Sequence, residues 1–76
     1  MPRRYRPEEV EKVLEYLGWR FSRQRGSHRQ FIRSGQRGLV TVPASPRELD
    51  QGTLGNILRQ AGLTRREFEA IATEVL

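Results

Sequence analysis

A chain of 76 residues with a formal charge of +5 and no cysteine excludes a disulfide framework and a thiolate metal site. It is expected to form one small domain over residues 1–76, with a core too thin to hold a deep substrate cavity. One histidine leaves no metal site to expect. No cofactor is expected, and any site lies on the surface or is shared with a partner. No apolar run approaches the roughly 20 residues of a membrane span, and the opening MPRRYRPEEV has no apolar segment behind its basic residues. The expectation is therefore a cytoplasmic protein without a membrane partner.

Taken along the chain, Pro7 suits the first position of a helix, and Glu8 and Glu9 follow near its positive end. Val10, Val13, Leu14 and Leu17 make one apolar stripe, and Gly18 provides a left-handed stop. Tyr5, ahead of this helix, has no role that the sequence assigns. WRFSRQ then alternates as a half-buried strand. Trp19 and Phe21 take one face; Arg20, Ser22 and Gln24 take the other. Arg25–Gly26 turns the chain, SHRQFIR forms a second strand, SGQRG turns again, and LVTVP forms a third strand ended by Pro43. A loop leads to a helix from about Thr53, with Leu54, Ile57, Leu58 and Ala61 as its stripe and Gly62 at its end. Thr64 and Glu67 match a capping box for a last helix with Phe68, Ile71, Ala72 and Val75 buried. The fold class is α+β in the order α-β-β-β-α-α, a three-stranded antiparallel sheet with helices on one face and the other face open.

Thirteen of the fourteen basic residues are arginine, and no acidic residue occurs between Glu15 and Glu48. That window holds Arg20, Arg23, Arg25, Arg29, Arg33, Arg37 and Arg47. An unneutralised basic stretch attracts a polyanion; the plainer reading is a solvated face. Parity places the only histidine. With Phe31 as the core residue of the second strand, His28, Gln30 and Ile32 emerge on the open face, His28 beside Arg20, with Arg25 as a second candidate neighbour. Val40 and Val42 point inward, Leu39 and Thr41 outward. Trp19, Phe21 and Phe31 are read as packing rather than base-stacking groups. Arg23, Arg25 and Arg29 read as phosphate contacts, because no acid is near them in sequence. Ser27 either hydrogen-bonds a substrate or shapes the turn.

Three blocks carry a resemblance: EVEKVLEYLGWRFSRQRGSHRQF, then VTVP, then GTLGNILRQAGLTRREF. Together they span nearly the whole chain and resemble the HicA family of type II toxin–antitoxin toxins. The resemblance implies a double-stranded-RNA-binding-like fold, an mRNA-cleaving ribonuclease activity and a HicB-like antitoxin as partner. Its most specific part is Gly26-Ser27-His28 followed by Phe31, and it maps the family's catalytic histidine onto His28. The helix signature maps onto Gly52, Thr53, Leu54, Ile57, Leu58, Gln60, Ala61, Gly62 and Leu63. Two positions depart from the common pattern. Arg29 stands where many relatives have a second histidine, and Asp50 and Gln51 stand where many have two lysines. The backbone N–H groups at Gly52 and Thr53 either receive a phosphate or belong to an ordinary helix cap.

The implied chemistry needs little from the protein. RNA carries its own nucleophile, the 2′-hydroxyl, so one imidazole as general acid or base and arginines against the phosphate suffice without a metal. The RNA-contacting set is Arg20, Arg23, Arg25, Ser27 and Arg29, and the partners are mRNA and the antitoxin. A non-catalytic RNA-binding module of the same fold is the alternative. A DNA-binding regulator is a weaker one, since no helix combines a basic face with the stripe of a recognition helix.

Overall fold

Helix α1 (Pro7–Tyr16) begins where proline's missing N–H costs no hydrogen bond. The structure, a computed structural model, describes residues 3–76; Met1 and Pro2 of the MPRRYRPEEV opening lie outside the described residues. Glu9 accepts a hydrogen bond from the Arg6 N–H at 2.9 Å, and that bond holds its carboxyl below the usual range. At the far end the Trp19 N–H returns to the Leu14 carbonyl at 2.9 Å and the Gly18 N–H to that of Glu15 at 3.0 Å. This paired closure needs a left-handed residue after the cap, and Gly18 supplies it with φ +95°. The reversal delivers Trp19 into the core beside Val10, Val13 and Leu14.

Three strands follow: β1 (Arg20–Arg25), β2 (His28–Ile32) and β3 (Val40–Pro43). They form one antiparallel sheet in the order β1-β2-β3, as the alternating pattern predicts. Leu39 lies just before the third strand rather than in it. Only Gly26 and Ser27 join β1 to β2, and Gly26 has φ +58°. A two-residue hairpin favours positive φ because that twist matches the strands it joins. Space around Gly26 is open, so the backbone conformation alone selects glycine there.

Helix α2 (Gln51–Ala61) packs on β3, and α3 (Arg65–Val75) packs on α1 and α2. Phe31, Val40 and Val42 face them, fully buried, with Leu54, Ile57, Leu58, Phe68 and Ala72 opposite. Burying a side chain such as Phe31 stabilises by about 2–3 kcal/mol. Gln60 Oε1 accepts the Thr41 N–H at 2.9 Å, which occupies a backbone donor on the outer edge of β3. Thr64 and Glu67 form the expected reciprocal cap of α3. Tyr5, which has no signature in sequence, is buried edge-on against Phe68 at 4.9 Å. Its carbonyl accepts the Leu49 N–H at 2.8 Å, tying the chain before α1 to the loop before α2.

Helix α2 starts at Gln51, two residues ahead of the Thr53 expected, because Asp50 is its cap. The Asp50 carboxylate accepts the Thr53 N–H at 2.7 Å, and this bond holds its carboxyl below the ordinary value of 3.8. A carboxyl depressed in the folded state stabilises above its unfolded pKa and loses that effect as pH falls through the folded one. Asparagine caps a helix as well as aspartate but carries no charge. The thermal midpoint of the natural protein is therefore expected to exceed that of Asp50→Asn at neutral pH. The gap should close as pH drops below 3.8, read by circular dichroism; a gap unchanged in strong acid would mean that the charge plays no part.

Candidate nucleic-acid interface

Side chains alternate across a strand, so burying Phe31 on the helical side sends His28, Gln30 and Ile32 to the other. The register gives this open face three rows: Arg25, His28 and Pro43; Arg23, Gln30 and Thr41; then Arg20 and Ile32. Rows two residues apart along a strand are about 7 Å apart. His28 is exposed, as are Arg20, Arg23, Arg25 and Ile32. No pocket indents the described surface, so a ligand here meets a flat face.

The outward placement of His28 agrees with the parity of the sequence, and of its two expected neighbours the structure keeps one, Arg25. Arg25 pairs with His28, whereas Arg20 pairs with Ile32, two rows away. The cause is a bulge at Ser22, where the register slips between Phe21 and Arg23. One extra residue reverses the parity of the remainder of a strand. Gln24, expected outward, thereby turns to the helical side, and Arg23 and Arg25 turn outward. The bulge collects Arg20, Arg23 and Arg25 on one face, which simple alternation would have divided between two.

The arginines differ in what they touch. Arg23 Nε donates to Gln30 Oε1 at 3.0 Å across the open face. Arg20 and Arg25 make no ion pair with any described residue. Arg29 lies on the opposite side, paired with Val42 and Gln24. Its Nε meets Glu11 Oε2 of α1 at 2.8 Å, and its guanidinium stacks over Phe21 at 4.3 Å. The structure thus does not bring Arg29 to the His28 face. An acid 18 positions away in sequence supplies the pair that no near neighbour can. The one sequence signal for Glu11 is its place beside the apolar stripe of α1, where a carboxylate can reach over the sheet. Phe21, expected in the core, is 45% exposed; it lies on an edge strand and meets the core at the Phe31 ring, at 6.0 Å.

Ser27 is half-buried, and its carbonyl accepts the Ala44 N–H at 2.6 Å, so its backbone fastens the turn to the chain after β3. Gly52 and Thr53 stand apart from these rows, at the start of α2, where the Asp50 carboxylate already takes the Thr53 N–H. The position at which a helix N-terminus attracts an anion is occupied by the protein's own carboxylate, which favours the cap over the phosphate site. Among the described residues no three of His, Cys, Asp or Glu come together in a cluster able to hold a metal ion, and no helix is long and apolar enough to cross a membrane.

Residues 7–63 match the family model described as the HicA toxin of bacterial toxin–antitoxin systems. The matched span covers α1, the sheet and α2. No curated protein matches the chain.

These contacts separate two kinds of arginine by their effect on stability. Arg29→Ala leaves Glu11, whose side chain is only 14% exposed, without its charged partner and is expected to destabilise by about 1–2 kcal/mol. His28→Ala and Arg25→Ala, on the open face, are expected to leave the thermal midpoint nearly unchanged. Equal losses for Arg25→Ala and Arg29→Ala in thermal melts would contradict this division.

Proposed function

The chain belongs to the HicA toxin family of bacterial toxin–antitoxin systems, and from that premise we propose that it is a metal-independent ribonuclease that cleaves mRNA in the cytoplasm, with His28 as its general acid–base group. The observation that carries the reading is the first row of the open face, in which an exposed imidazole stands between Arg25, which makes no ion pair with any described residue, and Pro43. Arg25 beside it and Arg23 in the next row supply positive charge to a phosphate laid on that row. Arg20 extends the charge into the third row.

The reaction follows from what these groups can do. His28 takes the proton of the ribose 2′-hydroxyl, the 2′-oxygen bonds to the adjacent phosphorus, and the bond to the 5′-oxygen of the next nucleotide breaks. The leaving oxygen receives a proton from an imidazolium or from water. A positioned imidazole contributes about 10²–10⁴-fold. Arginines directed at the phosphorane stabilise charge as it develops in the transition state. Neither Arg29, turned to Glu11, nor the capped start of α2 is needed for this.

Cleavage should leave a 2′,3′-cyclic phosphate on one fragment and a 5′-hydroxyl on the other, and should proceed in excess chelator. His28→Ala should abolish cleavage and toxicity while remaining folded. Replacing the ribose 5′ to the cut with deoxyribose should stop cleavage but not binding, since the phosphates remain. Products with a 5′-phosphate, or cutting of the deoxy substrate, would sink the mechanism. RNA that is bound but never cut would favour the non-catalytic module.

As a toxin of this family the protein has an antitoxin partner, which we take to be HicB-like and to cover the open face. Ile32 is 46% exposed and Leu39, adjacent to β3, is 44% exposed. Exposed branched side chains among arginines suit a partner with an apolar contact and an acidic rim. In hydrogen exchange on the complex, protection is expected at β2 and at the Gly26–Ser27 turn. Protection limited to the helices would place the partner elsewhere.

A further inference from the structure

The residue after His28 points away from the open face, and its partners lead back to the turn that presents the histidine. Arg29 Nε donates to Glu11 Oε2 at 2.8 Å, and Arg29 Nη1 donates to Gln24 Oε1 at 3.1 Å. The Gln24 amide then donates its Nε2 hydrogen to the Gly26 carbonyl at 2.8 Å. An amide has its acceptor and its donors on different atoms. By engaging the oxygen of Gln24, Arg29 aims the nitrogen at the turn. The guanidinium is held in turn by Phe21, stacked at 4.3 Å, and by the Glu11 carboxylate on α1.

Space beside Gly26 is open, with nothing near the site of an added Cβ. The neighbouring Ser27 is tied at its carbonyl by the Ala44 N–H at 2.6 Å. The two-residue turn is therefore fastened on one side by Ala44, just after β3, and on the other by the Gln24 amide, with His28 the next residue along. Resting on the reading of His28 as the acid–base group, we propose that Glu11, Arg29 and Gln24 are positioning residues, a hydrogen-bonded relay from α1 to the Gly26 carbonyl that holds His28 in line with its substrate. Lysine cannot replace Arg29 here. A compact ammonium on a flexible stem cannot meet Glu11 and Gln24 in the fixed fork of a guanidinium while stacking on Phe21.

Two variants test the relay from its two ends: Arg29→Lys removes the fork, and Gln24→Ala removes only the last link. Each is compared with the natural protein in cleavage of a defined mRNA transcript, and in NMR spectra of the His28 imidazole and the Ser27 amide recorded without RNA. Displacements of an ångström or less at a reacting group cost up to about 100-fold in rate. The expected result is a 10- to 100-fold fall in kcat with KM unchanged, together with broadened or doubled His28 and Ser27 signals in a protein that is still folded. Glu11→Gln combined with Gln24→Ala should fall short of the sum of the two single effects, because both act through Arg29. Unchanged kcat with sharp, unshifted signals would overturn the relay. A rise in KM at constant kcat would also overturn it, since Arg29 and Gln24 would then be touching RNA. If the natural protein cut no RNA while the variants still lost order at His28 and Ser27, the relay would stand and the ribonuclease reading would fall.

Discussion

Phe31 is fully buried in the middle strand of the sheet, and the pleat leaves its neighbours no choice of side. With Phe31 against the helices, His28, Gln30 and Ile32 must emerge on the uncovered face, and Arg29 must join Phe31. A register slip of one residue would bury a histidine and expose a phenylalanine. The core thereby specifies the orientation of the candidate site. Val40 and Val42 on β3 repeat the constraint, so two strands enforce the same assignment.

The edge strand obeys a different rule. All six residues of β1 are exposed, so no buried side chain enforces alternation along it. A bulge at Ser22 is tolerated there, and it rotates Arg23 and Arg25 toward His28. Bulges are common at sheet edges because they increase twist and hinder pairing with another edge. Here the same feature gathers positive charge on one face. The outer edge of β3 is treated otherwise, with the Gln60 side chain taking the Thr41 N–H.

Charge is also separated by layer. The carboxylates of Glu11 and Asp50 are both engaged on the helical side or in the loops, with Arg29 and with the start of α2. The open face retains Arg20, Arg23 and Arg25 and has no acidic residue in its rows. A flat, basic surface with one imidazole suits a substrate that brings its own nucleophile and its own negative charge. It suits a small molecule poorly, because a ligand of that kind needs a concave, largely apolar site.

The sequence by itself determined the order of elements, the buried stripes of all three helices, the caps at Pro7, Gly18, Thr64 and Glu67, and the outward position of His28. These follow from local periodicity and turn chemistry, which act within a few residues and can be read from spacing. It also carried the family, through Gly26-Ser27-His28 and the helix that opens with Gly52, Thr53 and Leu54. Tertiary structure alone decided which arginines accompany the histidine. The bulge at Ser22 arises from strand pairing and leaves no mark in the alternation of WRFSRQ. The burial of Tyr5 against Phe68 and the bond from Arg29 to Glu11 join segments far apart in the chain. No window of neighbouring residues contains such contacts, because they exist only once the helices have been laid on the sheet.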